Sequence, residues 1–123
     1  MGEAKTFTNN LLILELRENN NSINIRWTGK SVDREPAKFI TPILVDAIRK
    51  SSDHDKRVKL DFRELTYMNS STITPIVKTL ERAKRGKTKV TVTYLKSLKW
   101  QDVIFSALEI FRTKDGRVEI KGS

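Results

Sequence analysis

The sequence contains no cysteine. That excludes a disulfide framework, a zinc ribbon and a thiol nucleophile, and it suits a reducing compartment. Glycine is sparse. None of Gly2, Gly29, Gly86, Gly116 and Gly122 stands in a G-x-G-x-x-G or G-x-x-x-x-G-K arrangement, so no loop for cradling phosphates is visible. The single histidine, His54, lies between Asp53 and Asp55 in a polar stretch, Ser51 to Arg57, that reads as a loop. Adjacent loop residues rarely point at one ion, so a solvated turn is expected there rather than a metal centre. No serine occupies a nucleophile elbow. Without convergent reactive groups, the chain is expected to be non-enzymatic, with no metal and no cofactor. Long apolar runs are also missing. Leu11-Leu12-Ile13-Leu14 is far short of the roughly 20 residues a membrane helix needs. The first residues lack the apolar core of a signal peptide, so a cytoplasmic location without a membrane is expected. Met1 to Thr6 fits the myristoylation pattern, which is short enough to arise by chance.

What is present is charge. The formal net charge is +9, with hydrophobic residues at 37% and charged residues at 32%, enough for a modest core in a soluble chain. The charge is uneven. From Lys78 onward there are twelve basic and five acidic residues, a net of +7, against a net of +2 before it. A basic half attracts nucleic acid, anionic lipid or an acidic protein face, and it also describes an ordinary solvated surface. A nucleic-acid-binding module is therefore an alternative reading. No recognised binding motif supports it, and the strands lack exposed stacking aromatics. Any such binding is expected to be weak and largely lost at physiological salt.

The 123 residues suffice for one domain, with a core expected over about residues 11–120. Strand alternation marks Ile23-Ile25-Trp27, Val58-Leu60-Phe62, Val90-Val92-Tyr94 and Val118-Ile120. Leu11 to Leu16 is apolar enough for a first strand, paired antiparallel with the second through a turn at Asn19, Asn20 and Asn21. Three apolar stripes have helical spacing. The first is Ile40, Ile43, Leu44, Ala47 and Ile48. The second is Ile73, Ile76, Val77, Leu80 and Ala83, ending at Gly86 in an expected left-handed cap. The third is Trp100, Val103, Ile104, Ala107, Leu108 and Phe111, of which Trp100, Val103, Ile104, Leu108 and Phe111 are expected to be turned inward. Thr41-Pro42 and Thr74-Pro75 each look like a capping threonine before a first-turn proline; a helix begun near Asp33 would instead enclose Pro42 and kink. The alternation of strands and helices predicts an α/β domain with three helices on a mixed sheet of four or five strands.

One segment is more specific. After the strand ending at Phe62, a short connection packs Leu65 and Met68 inward, and Asn69-Ser70-Ser71-Thr72 arrives before a helix that must start near Pro75. A helix N-terminus offers free amides and partial positive charge, so it accommodates either plain serine or threonine capping or a phosphate. This segment and the element order resemble the STAS domain of anti-anti-sigma factors, the anti-sigma factor antagonists. The matching residues are Leu60-Asp61-Phe62 followed by Tyr67-Met68-Asn69-Ser70-Ser71-Thr72. The resemblance implies a STAS-like fold and a phosphoprotein acting by partner switching in signal transduction and transcription regulation. It implies phosphorylation of Ser70, with Ser71 or Thr72 the fallback, by a serine/threonine kinase that is anti-sigma-like, and removal by a PP2C-type phosphatase. Asn69 stands where aspartate is usual in that family, and Thr72 where glycine is usual. The Tyr67-Met68-Asn69-Ser70-Ser71 cluster is similar to the SiaC-like regulatory phosphoproteins, which implies a diguanylate cyclase as an alternative partner. Loops at the C-terminal ends of parallel strands carry the sites of α/β sheets. The expected partner surface is therefore Asn69, Ser71 and Thr72, the helix positions Lys78 and Arg82, and the loop residues Lys30, Ser31 and Asp33.

Overall fold

Strict alternation builds the sheet. In β3 (Ser22–Ser31), Ile23, Ile25 and Trp27 are fully buried while Asn24 and Arg26 point the other way. The computed structural model describes residues 4–123, so Gly2 of the myristoylation pattern lies outside the described residues. The other strands are β1 (Ala4–Asn9), β2 (Leu12–Glu18), β4 (Arg57–Met68), β5 (Lys89–Tyr94) and β6 (Val118–Gly122). The helices are α1 (Pro36–His54), α2 (Ile73–Arg85) and α3 (Lys99–Ser106), with 3₁₀ turns at Ser70–Thr72 and Ala107–Phe111. Strand order in space is strand order in sequence, β1 to β6. β1, β2 and β3 are antiparallel; β3 to β6 are parallel. The three crossovers step the same way across the sheet, and right-handed connections then place α1, α2 and α3 on one face. Burial agrees. Leu14, Leu60 and Val92 face the helices, while Arg17, Arg26, Lys59 and Lys121 on the alternate face are exposed.

The single α/β domain with three helices and a mixed sheet is as expected, but the sheet has six strands rather than four or five. The extra strand, β1, carries one large apolar residue, Phe7, so it shows no alternation. Its bonds come from β2 through a turn at Asn10, whose φ of 55° asparagine tolerates well. The turn between β2 and β3 is as expected: Asn19 Oδ1 accepts from the amides of Asn21 and Ser22, each at 2.8 Å.

Four boundaries differ from the sequence reading. β4 does not stop at Phe62 but runs to Met68. Its register against β3 shifts twice, between Arg26 and Thr28 and between Gly29 and Lys30, so burial passes from Leu60 and Phe62 to Leu65 and Met68. α1 starts at Pro36, so Pro42 lies inside it and Thr41 is no cap. The same helix runs through Ser51 to His54, which are therefore not a loop, and Asp55, at φ 52°, closes it. Gly86 ends α2 without a left-handed cap, at φ −102°.

The third helical stripe is the main correction. Gln101 and Phe105 are fully buried, Leu108 is buried, Trp100, Ile104 and Phe111 are half-buried, and Val103 is exposed. Gln101 takes the inward position because it satisfies three backbone groups. Its Oε1 accepts from the Leu95 amide at 2.8 Å, and its Nε2 donates to the carbonyls of Phe62 and Leu65 at 2.7 and 2.9 Å. Phe105 then stacks on Phe62 with centroids 4.6 Å apart, and Phe62 meets Trp27 at 4.7 Å.

Candidate functional site

The site forms where β3 and β4 end together. Ser31 pairs with Met68, and the Asn69 amide donates to the Ser31 carbonyl at 3.0 Å, carrying the ladder one residue past the strand. From there the chain turns into the 3₁₀ segment, and Asn69 is its cap. Asn69 Oδ1 accepts from the Thr72 amide at 3.1 Å and from the Thr72 hydroxyl at 2.7 Å. Its Nδ2 donates to the Asp33 carbonyl at 2.7 Å. The capping threonine anticipated at Thr74 is thus replaced by an asparagine five residues earlier, and Thr74 sits inside α2.

Thr72 is fully buried and Ser31 nearly so, and their hydroxyls meet at 2.7 Å. A threonine hydroxyl has one proton, and that of Thr72 goes to Asn69 Oδ1. Ser31 is therefore the donor of the Ser31–Thr72 bond. Both residues were expected on the partner surface, and Thr72 as a fallback acceptor. They are instead the buried pin joining β3 to the start of α2, because the tight three-residue turn carries Thr72 inward.

Ser70 and Ser71 are exposed, and among the described residues neither side-chain hydroxyl makes a hydrogen bond. The Ser70 carbonyl accepts from the Ile73 amide, which fixes its backbone while leaving the hydroxyl in solvent. Asp33 is half-buried. Its Oδ2 accepts from Asn9 Nδ2 at 2.8 Å and its Oδ1 from the Glu35 amide at 3.0 Å. Those two bonds, Asn9 foremost, hold its carboxyl below the ordinary aspartate range. Lys30 is exposed and paired in register with Tyr67, which is half exposed. Lys78 and Arg82 are exposed on the next turns of α2. The structure thus gathers Asn69, Thr72, Ser31 and Asp33 into one network, sets Ser70 and Ser71 on its outer side, and leaves Lys78 and Arg82 farther along the helix.

Three participants were not anticipated. Asn9 ties β1 to Asp33; its only sequence signal is the Asn9-Asn10 pair, a turn signal attached to an unrecognised strand. Gly29 lies at φ 88°, and a Cβ there would sit 2.1 Å from the Leu11 carbonyl oxygen, so the bulge beside the site requires glycine. Thr66 Oγ1 donates to the Gly29 carbonyl at 2.9 Å and holds that bulge from the β4 side.

No family model matches the chain. No curated protein matches it either. Solved structures do. SiaC of Pseudomonas aeruginosa superposes with a TM-score of 0.61 at 14% identity, over 98% of this chain and 99% of that one. The anti-sigma factor antagonist SpoIIAA in its unphosphorylated form gives 0.52 at 13% identity, over 83% and 81%. A protein of SpoIIAA-like fold from Shewanella loihica gives 0.52 at 16%, over 95% and 90%. At such identities the likeness is one of fold, and in fold this chain is a STAS-like domain.

Proposed function

We propose that this chain is a non-enzymatic regulatory protein that switches partners according to phosphorylation of Ser70. The observation carrying this reading is the contrast within one short turn. Thr72 is buried with its hydroxyl occupied, while the Ser70 hydroxyl is exposed and unbonded on a backbone fixed from both sides. A kinase needs an accessible hydroxyl, and a switch needs that hydroxyl on a rigid docking surface. Phosphorylation adds a charge of about −2 next to the positive end of α2, which the fold tolerates and a docked partner feels. Ser71 is the alternative acceptor.

In this reading the modifying partners are an anti-sigma-like serine/threonine kinase and a PP2C-type phosphatase. The output is release of a sigma factor or, in a second reading, activation of a diguanylate cyclase as the SiaC-like resemblance implies. Asn69 favours the second. Its amide donates to the Asp33 carbonyl, a bond that the aspartate usual in anti-sigma factor antagonists cannot make when ionised. The more complete superposition on SiaC supports the same choice.

The test is phosphosite mapping from native cells, joined to pull-downs with Ser70→Ala and Ser70→Asp. Ser70→Ala is expected to keep the unmodified partner and escape kinase control, while Ser70→Asp, with half the charge, weakens that binding in part. Unmodified and phosphorylated chains should melt within about 1 kcal/mol of each other, since the phosphate faces solvent and helix amides. A chain never modified in cells, whose Ser70→Asp form binds every partner as wild type does, ends the proposal.

A further inference from the structure

α1 and α2 pack side by side and leave a groove of about 110 Å³ between them. It is lined by Val45, Ile48, Pro75 and Thr79, with exposed Thr41, Lys78 and Arg82 at its edge. The Thr79 hydroxyl donates to the Pro75 carbonyl at 2.9 Å, so its proton is already used. Among the described residues, neither Lys78 nor Arg82 has a carboxylate within ion-pair distance. On the open sheet face most cations are paired, Lys59 being an exception. Arg26 is matched by Glu15 and Glu64, Arg63 by Asp61, and Arg57 by Glu119. Lys78 and Arg82 are one helical turn apart, and exposed Arg85 extends the row. Glu81, the one acid of α2, lies at i+3 from Lys78 and four residues before Arg85, so it borders this row, but among the described residues it forms no ion pair with either.

From this geometry we infer that the α1–α2 groove docks an amphipathic helix whose apolar stripe is flanked by acidic residues. The cations select the partner's charge, and the groove takes one apolar side chain. The form must be helical, because α1 and α2 satisfy their own backbone and present no edge for a strand to join, whereas a third helix lays its ridge between two others. The inference rests on reading the chain as a partner-binding protein, but not on modification of Ser70. Ser70 lies about 13 Å from Lys78 along the turn and helix. The groove is a constant anchor, and Ser70 acts on whatever part of the partner extends past it.

The experiment uses a labelled helical peptide of roughly 18 residues, five turns, with leucines on one face and glutamates beside them. It is titrated onto the full chain at about 0.15 M salt, against a twin with lysines in place of the glutamates. Saturable binding of the acidic peptide alone is expected, with amide shifts centred on Val45, Ile48 and Thr79. The Lys78→Glu/Arg82→Glu double variant should weaken it by about tenfold or more, since like charges then face each other. Lys59→Glu, on the opposite face of the sheet, should leave it unchanged. Equal binding to the double variant, no saturable binding at millimolar peptide, or shifts confined to the open sheet face overturns the inference. Ser70→Ala should bind the peptide as wild type does. Loss of peptide binding would leave control at Ser70 standing, and absence of Ser70 modification would leave the groove standing.

Discussion

Asn69 has both ends of its amide in use, and this decides what can replace it. Its oxygen accepts twice from Thr72, and its nitrogen donates to the Asp33 carbonyl. Asn69→Asp keeps the acceptor, loses the donor and turns a carboxylate oxygen toward a carbonyl. Leaving that carbonyl without its donor is expected to cost about 1–3 kcal/mol in denaturant melts near neutral pH. The deficit should shrink as pH falls through the range where the new carboxyl protonates, because an acid regains an O–H donor. A variant as stable as wild type at neutral pH would show that the clamp contributes nothing. The sequence placed this segment at a helix start but read its cap as serine or threonine rather than Asn69. What was not legible is which hydroxyl turns inward. That depends on the 3₁₀ geometry of Ser70–Thr72 and on a partner, Ser31, forty-one positions away in the chain.

Among the elements, α3 shows how a clean pattern misleads. Trp100, Val103, Ile104, Ala107, Leu108 and Phe111 keep one helical period, but the α-helix ends at Ser106 and a tighter turn follows. Three residues per turn instead of 3.6 rotates everything after Ser106 relative to what precedes it. Before that break, the inward position belongs to Gln101, a polar residue whose value lies in backbone groups that only the folded sheet brings near. Phe105→Ala is therefore expected to cost about 3–5 kcal/mol, removing a ring from the row formed with Phe62 and Tyr94. Val103→Ala, from the stripe expected to be core, should change stability by no more than about 0.5 kcal/mol. Reversed magnitudes in urea melts would restore the original phase. The strands with buried alternation, β2 to β6, were readable, as were the apolar stripes of α1 and α2. β1 was not, because a hairpin edge strand is held by backbone bonds to β2 and needs no apolar rhythm.

For the whole molecule, the placement of carboxylates fixes how stability responds to pH. Glu18 is held low by its bond from Lys56, and Asp33 by Asn9 and the Glu35 amide. At Asp61, burial pushes upward, but the Arg63 side chain and amide outweigh it and the net shift is downward. Asp115 is lowered to about 2 by bonds from Thr113 and Arg117. Each has a folded pKa below its unfolded one, so each contributes stability above the unfolded value of about 4 and loses it as pH falls through the folded value. Tyr94 shifts the other way. Burial raises it, so its contribution is complete below the unfolded value of about 10 and is lost above it. A plateau from about pH 5 to pH 9 is expected, with an acid limb falling between about 4 and 2. The net charge of +9 grows as carboxylates protonate, so self-repulsion deepens that limb. At about 0.01 M salt the Debye length is near 30 Å, and the acid limb should be steeper there than at 0.15 M. Thermal midpoints measured from pH 2 to 10 at both salt levels check this. A midpoint that rises on acidification from pH 5 to 3 would mean that these carboxylates are not paired as the structure places them.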